Sequence, residues 1–541
     1  MYPKQMYMRL SFFKFLSVLM LTSILFSCAR RGTPTGGDKD TIPPILEKAI
    51  PANKTVNFKE KRIKIYFDEY IKLKDVKTQL IISPPQKNEP IITPVGTASK
   101  FISIKILDTL DANTTYLYNF GNSIVDNNEE NKLGNFKYVF STGTYIDSLE
   151  VTGEVTDPLV KETSKNLDVM LYEYDTAFTD SIIFKQKPRY ISNTLDSTLF
   201  EISNVRKGKY LLIALKDANN NKIYDPDIDK IGFINDTLNM PTDSVYNFTI
   251  FKEIPKLKIL KPKEVNSGHL IFGFKGKAED LIINLLSETP PDFKSEIIYD
   301  TTKDTINYWY TPFEADSLNF EVSKGEYFEE FTAKLRSTKR DTLKIQNSVG
   351  NTLNLIDTLA ITSNTPIIKI DTSFISIVNQ DTVKVNFKPI LATSKTKLYL
   401  NFDVKPDSKY TVEVLPNAIT DIYNTVNDSL SVKVATKTPE DYGILNVNID
   451  SSLKSSFIVE LINSKNTVVR VAKTSELKTI RFESLEPGNY YLRVTTDKNN
   501  NGIWDTGNFL EKRQPEKIKY FDKEIEIRAN WDPTENLIIT E

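Results

Sequence analysis

A short loop rich in aspartate and asparagine occurs twice in this chain of 541 residues. Residues 216–229 read KDANNNKIYDPDID, and residues 496–509, displaced by 280 positions, read TDKNNNGIWDTGNF. The register also holds upstream, where Gly208 returns as Gly488. A repeat at a fixed offset indicates a duplicated structural unit. Any fold proposed for the chain must therefore contain this unit twice.

The segments between the loops predict β-strands. Ile63, Ile65 and Phe67 alternate with polar or exposed-type side chains, and the segment 136–143, FKYVFSTG, alternates in the same way. A period of two is typical of a half-buried strand. The chain is also too long to fold around one core, so we expect roughly three to five domains. The sequence therefore predicts an all-β chain of several sandwiches.

The region around the repeated glycine resembles prealbumin-like sandwiches, the class of the carboxypeptidase regulatory domains. Pro487, Gly488 and Tyr490 match the Pro-Gly-x-Tyr turn and strand of that class. Glycine permits the positive φ of a tight turn, and tyrosine begins the next strand with a large buried face. The copy at 205–212 lacks the proline. The resemblance implies one such sandwich for each copy of the loop.

Residues 41–145 resemble the bacterial Ig-like domain of the S-layer type, which is common in lipoproteins of Bacteroidota. The similarity lies in the opening DTIPP, in a strand with Phe67, Glu69 and Ile71, and in the segment at 136–143, which resembles the closing F-x-F-S-T-G of that family. Tyr70 stands where a proline often follows the glutamate. The resemblance implies an antiparallel β-sandwich.

A second domain of this kind is predicted at 350–440. Residues 383–390, VKVNFKPI, are similar to the first strand of the Ig-like region and place Pro389 in the proline position. The segment 417–421, NAITD, likewise repeats 122–126, NSIVD. We interpret the Asn and Asp of these segments as turn residues that bond their own backbone.

The amino terminus has the pattern of a secretory signal. Lys4, Arg9 and Lys14 precede an apolar run at 15–26, and no acidic residue occurs before Asp38. The run is too short for a stable membrane span and is typical of a signal peptide. Removal of its three basic residues would change the formal net charge from -2 to -5.

The apolar run ends in Leu-Phe-Ser-Cys, which resembles the lipobox of bacterial lipoproteins. Cys28 is the only cysteine of the chain, so an intrachain disulfide is excluded. The resemblance implies lipidation of Cys28, with palmitate-type acyl chains that anchor the protein in a membrane. Ala29 follows the cysteine, which favours the outer membrane in that class. Arg30 and Arg31 differ from the acidic surface-export signal, so the periplasmic face and the cell surface both remain open.

The predicted organisation is a tandem array of Ig-like and prealbumin-like sandwiches behind a lipoprotein signal peptide. Its parts are a signal peptide at 1–27, a flexible tether at 28–40, an Ig-like domain at 41–145, a prealbumin-like sandwich at 146–252, a middle β domain at 253–349, a second Ig-like sandwich at 350–440 and a second prealbumin-like sandwich at 441–541.

The repeated loop has oxygen-bearing side chains at positions 1, 3, 5 and 9, as an EF-hand calcium loop does. Only two of the four oxygens in each copy are charged, so a calcium ion would be held weakly. The alternative is a turn whose Asn and Asp side chains bond backbone N–H groups. The candidate calcium ligands are Asp217, Asn219, Asn221 and Asp225 in the first copy, and Asp497, Asn499, Asn501 and Asp505 in the second.

Composition narrows the function classes. The formal net charge of -2 offers no basic field for nucleic acid. His269 is the only histidine and lies in a strand-like segment without a catalytic motif, so we interpret it as structural. The aromatic run Tyr308-Trp309-Tyr310 could stack on a sugar, but three aromatics in a row on a strand favour core packing.

No nucleophile motif, phosphate-binding glycine loop or histidine ligand set is found in the sequence. We therefore expect a non-enzymatic outer-membrane lipoprotein that serves as a structural or accessory binding subunit of a cell-envelope complex. One alternative is a surface glycan- or peptide-binding lipoprotein, which an exposed aromatic platform would favour. Another is a carboxylate-dependent hydrolase, which needs two carboxyls in one cleft.

Overall fold

The computed structural model describes residues 39–161, 165–453, 455–476, 479–521 and 523–539. The predicted signal peptide and lipidation site at Cys28 lie outside them. Within the described residues, no helix has the length and apolar character needed to cross a membrane. Regular structure is nearly all strand, so the prediction of an all-β tandem array is confirmed. The strands fall into five sets along the chain, and no sheet mixes strands of two sets.

The first set forms a sheet in the order β1-β2-β5-β4, with β7 also on β2, and a second sheet in the order β3-β6-β8. Its buried face includes Ile63, Ile65 and Phe67, as the alternation predicted. The elements are β1 Leu46–Ile50, β2 Arg62–Leu73, α1 Val76–Gln79, β3 Ile81–Ser83, β4 Ile91–Thr93, β5 Ser99–Lys105, β6 Thr115–Asn119, β7 Ile124–Asp126 and β8 Lys137–Ser141.

The second set forms a sheet in the order β11-β10-β13-β14, with β15 on β13, and a sheet in the order β12-β9-β16. The strands β9 and β16 are parallel. The elements are β9 Leu149–Thr156, β10 Asp168–Glu173, a 3-10 helix Asp180–Phe184, β11 Tyr190–Asn193, β12 Leu199–Val205, β13 Gly208–Lys216, β14 Lys230–Phe233, β15 Leu238–Met240 and β16 Val245–Thr249.

The third set forms a sheet in the order β17-β19-β22-β21, with β18 on β19, and a sheet in the order β20-β23-β24. The segment at 327–334, whose charge spacing resembles that of a helix, is a strand. The elements are β17 Lys258–Ile259, β18 Lys263–Asn266, β19 His269–Lys275, β20 Ile282–Leu285, β21 Ser295–Asp300, β22 Thr305–Tyr310, β23 Ser317–Lys324 and β24 Tyr327–Lys334.

The fourth set forms sheets in the orders β25-β26-β30-β29, β27-β32 and β28-β31-β33. The elements are β25 Ile345–Asn347, β26 Leu359–Ser363, β27 Ile367–Ile370, a 3-10 helix Thr372–Phe374, β28 Ile375–Asn379, β29 Phe387–Leu391, β30 Lys397–Phe402, β31 Lys409–Val414, β32 Ile419–Asp421, β33 Leu430–Ala435 and a 3-10 helix Pro439–Asp441.

The fifth set forms a sheet in the order β36-β35-β38-β39, with β40 on β38, and a sheet in the order β37-β34-β41, in which β34 and β41 are parallel. The elements are β34 Gly443–Ser451, β35 Ser456–Asn463, β36 Val468–Thr474, β37 Thr479–Leu485, β38 Gly488–Asp497, β39 Ile518–Tyr520, β40 Ile525–Ile527 and β41 Thr534–Ile539.

The topology contains two duplications. Each strand of the second set has its counterpart, in the same sheet order, in the fifth set. This is the repeat found in the sequence. The first and fourth sets also correspond, because the long strand β2 is matched by β26 and β27 together. In both sets the paired aspartate of the NSIVD or NAITD segment lies opposite an isoleucine, Ile71 with Asp126 and Ile367 with Asp421.

The second duplication corrects one strand equivalence. We expected 383–390 to match the first long strand, with Pro389 in the proline position. The structure instead makes Pro366, directly before Ile367, the counterpart of Tyr70, and places Pro389 in the edge strand β29. Alternation alone does not distinguish a central strand from an edge strand, and an edge position tolerates the missing N–H of proline.

The described residues divide into two compact units. The first comprises 39–80, 86–114 and 118–144, and the other described residues belong to the second. Within the second unit, each set of strands buries an apolar cluster of its own between its sheets, so each is a packed sandwich.

Candidate functional site

The first copy of the repeated loop begins directly after β13 and is folded by its own side chains. Asp217 accepts hydrogen bonds from the N–H groups of Asn221 (3.3 Å) and Lys222 (2.7 Å). The side chain of Asn221 accepts from Ile223 N (2.7 Å), and that of Asp225 accepts from Asp227 N (2.9 Å). These are Asx-type bonds in which a short polar side chain replaces a backbone acceptor.

The second copy lies at the end of β38 and repeats the hydrogen bonds of the first aspartate. Asp497 accepts from the N–H groups of Asn501 (3.1 Å) and Gly502 (2.8 Å). The amide groups of Asn499 and Asn501 both donate to Oδ2 of Asp505, at 2.6 Å and 2.8 Å. The structure therefore brings all four predicted residues together in the second copy. In the first copy it joins Asp217, Asn219 and Asn221, while Asp225 bonds the backbone of Asp227 instead.

Each loop is closed by a buried carboxylate outside the candidate ligand set. In the first copy, Asp229 accepts from Ala218 N (2.9 Å) and Asp225 N (2.8 Å). In the second copy, Glu516 accepts from the equivalent groups, Lys498 N (2.7 Å) and Asp505 N (3.1 Å).

The sequence repeat did not reveal this pair. The position 280 residues after Asp229 is Phe509, and Glu516 lies seven positions further on. The second loop contains an insertion, so the same hydrogen bonds come from a displaced and longer carboxylate. Burial raises the pKa of Asp229, although the two N–H donors favour its charged form.

The two loops differ most at one position. Lys222 of the first copy corresponds to Gly502 of the second. The ammonium group of Lys222 lies 2.6 Å from Asp168 Oδ2 and 3.9 Å from Asp217 Oδ2, so the first loop already contains a cation. A Cβ at Gly502 would lie 2.7 Å from Nζ of Lys473, so a lysine at this position would require the end of the Lys473 side chain to move aside.

These contacts affect which oxygens each loop could offer to a calcium ion. In the first loop the ammonium of Lys222 lies beside Asp217, one of the four candidate ligands, and is paired with Asp168. In the second loop the amide NH₂ groups of Asn499 and Asn501 face Asp505, and their oxygens accept from backbone N–H groups. Carboxylate and amide oxygens are ligands that calcium takes, but these amides would have to turn to offer theirs. Among the described residues, no group of three or more His, Cys, Asp or Glu side chains is arranged for a metal ion.

The insertion in the second loop packs against the first copy of the sandwich. Residues 508–513 form a hairpin, closed by hydrogen bonds in both directions between Asn508 and Arg513. Phe509 at its tip is fully buried in an apolar cluster of the second set, which includes Phe184 and Phe233. The fifth sandwich therefore contacts the second directly, although two sandwiches lie between them in sequence.

Polar contacts surround the buried ring of Phe509. Lys512 Nζ lies 2.6 Å from Asp180 Oδ1, and Gln514 donates to the carbonyl of Phe233 at 2.9 Å. Thr506 donates its hydroxyl hydrogen bond to the carbonyl of Lys252 at 2.6 Å. We call this set, with Phe509, the 506–514 contact.

The aromatic run in the middle domain lies on β22 and is buried. Tyr308 and Tyr310 belong to the core of that domain, whereas Trp309 packs with Ile422 and Tyr423 of the fourth set. His269 on the neighbouring strand β19 stacks on Trp309, with 3.6 Å between ring centroids and 6° between ring planes. Its Nε2 lies 2.9 Å from Asn307 Oδ1, and burial lowers its pKa. The histidine is therefore a structural residue of a strand.

The hydrolase alternative requires two carboxyls in one cleft. A groove of about 550 Å³ lies in the third set and is lined by residues that include Leu257, Lys324, Glu326 and Tyr327. Glu326 is its single carboxyl among the lining residues of the described chain. Asp229, whose pKa is raised, is not among those residues, so the described structure shows no carboxyl pair in this groove.

The fold of the first set agrees with a comparison against protein families. Residues 40–142 match the family of bacterial Ig-like domains. The prediction from the sequence, residues 41–145, covers almost the same segment. No curated protein matches the chain.

Several solved structures are similar to parts of the chain. The major pilin subunit BcpA of Bacillus cereus is 12% identical, with 73% of this chain and 99% of that chain covered and a TM-score of 0.13. Domains 1–6 of the surface layer protein SbsC are 9% identical, with 90% and 67% covered and a TM-score of 0.15. The Bacillus anthracis TIE protein is 11% identical, with 94% and 76% covered and a TM-score of 0.14. With scores this low, these similarities contribute nothing to the functional argument.

Proposed function

We propose that the chain is a non-enzymatic lipoprotein, anchored in the outer membrane through Cys28, that serves as a structural or accessory subunit of a cell-envelope complex. The observation that supports a structural role best is the 506–514 contact. It joins the fifth sandwich to the second through a fully buried phenylalanine and an ion pair. Such a contact holds distant modules in one arrangement, which suits a subunit that positions other proteins.

The residues first considered as sites support the same role. The Asn and Asp side chains of both loops bond backbone N–H groups, and the aromatic run at 308–310 is buried. Capture of a glycan through that run would require its rings to be accessible. The polar groups and rings of these residues therefore stabilise the fold itself.

The anchor is tested by fractionating cells that produce the Cys28→Ala variant. We expect the wild-type protein in the outer-membrane fraction and labelled by a palmitate analogue, because several acyl chains give stable anchoring. The variant should lose both properties. A matched Ser23→Ala variant, also within the apolar run, should keep them. A Cys28→Ala protein that still sediments with outer membranes would contradict the proposal.

The subunit role is tested by extracting a carboxy-terminally tagged protein in mild detergent after cross-linking. Mass spectrometry should identify at least one envelope protein in stoichiometric amount. Recovery of the protein without such a partner would argue against a subunit role, while leaving the anchor unaffected.

Calcium forms a smaller part of the proposal and is assigned to the second loop. Asp497 and Asp505 would hold the ion with the amide oxygens of Asn499 and Asn501. Two charged ligands imply weak binding, so the ion would stiffen the loop that bears the 506–514 contact.

A further inference from the structure

One outer face of the first unit is basic and aromatic. In the sheet β1-β2-β5-β4, Lys48 pairs with Tyr66, and Tyr66 pairs with Phe101, so the three side chains form one row. The next row contains Lys64 opposite Ser103. These side chains point away from the buried face, which is formed by the alternate residues of the same strands.

The third row of the sheet is also basic. Arg62 lies opposite Lys105, which in turn lies opposite Ile91. Ile50 and Ile91 at the two edges of the face are 54% and 51% exposed. Among the described residues, the three rows contain no carboxylate. We call this surface, defined by Lys48, Arg62, Lys64, Lys105, Tyr66 and Phe101, the basic face.

The local charge is opposite to that of the whole chain, whose formal net charge is -2. The lysines are also placed over the rings. Nζ of Lys48 lies 5.2 Å from the ring centroid of Tyr66, and Nζ of Lys64 lies 5.4 Å from that of Phe101. The two rings are 5.5 Å apart. The four cationic side chains of this face attract anions, and the two rings between them offer apolar contact.

We propose that the basic face binds the surface of an anionic lipid bilayer. Lysine and arginine near such a surface are attracted to its headgroups, while aromatic rings occupy the level between headgroups and acyl chains. The exposed Ile50 and Ile91 lie in the same plane of the sheet and add apolar area. A broad sheet face matches a flat surface, whereas a glycan chain is usually held in a groove.

The position of the face along the chain favours a lipid occupant, and this step rests on the proposed lipid anchor. The face begins in β1, whose first residue, Leu46, lies 18 positions after Cys28. A chain of this length spans at most about 60 Å when fully extended. A bilayer holding Cys28 would therefore lie within reach of the face, and binding there would orient the first unit on the membrane.

The experiment uses residues 39–541, which lack Cys28 and contain every described strand of both units. Sedimentation with vesicles of phosphatidylcholine alone is compared with vesicles that also contain phosphatidylglycerol. We expect binding only to the anionic vesicles, and weaker binding as salt is added. The variant Lys48→Gln/Lys64→Gln/Lys105→Gln should bind on the order of 100-fold more weakly, because each lysine near an anionic surface contributes roughly a fivefold factor.

The matched control is Lys388→Gln/Lys409→Gln/Lys433→Gln, which removes the same charge from exposed lysines of the fourth set and should bind as the wild type does. Circular dichroism checks that both variants remain folded. Absence of binding to anionic vesicles, or equal loss in both variants, would overturn the proposal. Binding to an anionic polysaccharide but not to vesicles would also overturn it and assign the face to a glycan. Since the protein lacks Cys28, failure here leaves the anchor to be judged by fractionation alone.

Discussion

The ring of Phe509 stands edge-on to the ring of Phe233, with centroids 5.2 Å apart and planes at 89°. Phe233 belongs to the first copy of the repeated unit and Phe509 to the second. Phe509 reaches this position because it lies in the hairpin that the insertion adds to the second loop. An edge-to-face pair is a favourable arrangement of aromatic rings. The copies are therefore related in space as well as in sequence, through a feature that only one of them has.

Replacing Phe509 by alanine should weaken the 506–514 contact. The side chain is fully buried, so its loss leaves a cavity in the cluster around Phe233. We expect the free energy of unfolding of the second unit to fall by about 3 kcal/mol. Urea denaturation followed by tryptophan fluorescence measures the change. Leu510→Ala, at a neighbouring position that is 57% exposed, should change it by about 0.5 kcal/mol or less. Equal effects of the two substitutions would contradict burial of Phe509.

Asp126 should make the first unit sensitive to acid. Burial raises the pKa of its carboxyl, but four backbone N–H donors outweigh that effect and hold the pKa below the usual value of 3.8. The stabilisation is therefore present above the unfolded pKa and is lost as the pH falls through the folded pKa.

Asp126→Asn should remove this pH dependence and cost about 2 kcal/mol at neutral pH, because an amide NH₂ would face the N–H of Asn131. Thermal melts at a series of pH values measure both effects. Glu60→Gln, an exposed carboxylate of the same unit, serves as the control. An Asp126→Asn protein with wild-type stability at neutral pH would contradict the role assigned to the carboxylate.

Lys222→Gly should make the first loop respond to calcium. The substitution removes the cation beside the buried carboxylate of Asp168, so we expect a lower melting temperature in chelator. Calcium should restore part of that loss, since Asp168 and Asp217 then provide two carboxylates without a counter-ion. Differential scanning calorimetry of the full chain, with potassium chloride at equal ionic strength as the salt control, measures the difference. A calcium response no larger than that of the wild-type chain, which contains the same second loop, would contradict this expectation for the first loop.

His269 should titrate below the usual value of 6.5, because burial against Trp309 lowers its pKa. The unfolded chain then binds more protons than the folded chain between the folded pKa and 6.5. Stability should consequently be complete above 6.5 and should fall as the pH decreases through this interval. As His269 is the only histidine, its imidazole signal in a proton NMR titration needs no assignment. The urea-unfolded chain is the reference, and a folded pKa at or above its value would contradict the burial argument.

The β-strands and the duplicated loop were predictable because both depend on local pattern. Ile63, Ile65 and Phe67 alternate in the sequence and are buried in the structure. The first boundary of the Ig-like region also follows from residues near each other in the chain. Pairing between distant strands was not predictable in the same way. The segments 383–390 and 359–370 both alternate in sequence, and only the pairing of Ile367 with Asp421 shows that the second of them is the central strand.

The candidate site was predicted in part. The Asn and Asp residues of the loops could be found from their spacing, and the interpretation as turn residues is supported by their hydrogen bonds. Glu516 could not be found, because the insertion moves it out of the repeat register. The burial of Phe509 could not be predicted either, since its partners are provided by a sandwich more than 250 positions earlier in the chain.

The 506–514 contact has a consequence for how the protein would respond to a protease. The segment between β24 and β25 includes exposed residues such as Lys339 and Arg340, so it offers a place for cleavage. After one cut there, the amino-terminal piece would keep the second sandwich and the carboxy-terminal piece would keep the fifth. Phe509 and the ion pair of Lys512 with Asp180 would still hold the two fragments together, and a nicked protein would migrate as one particle until it was denatured.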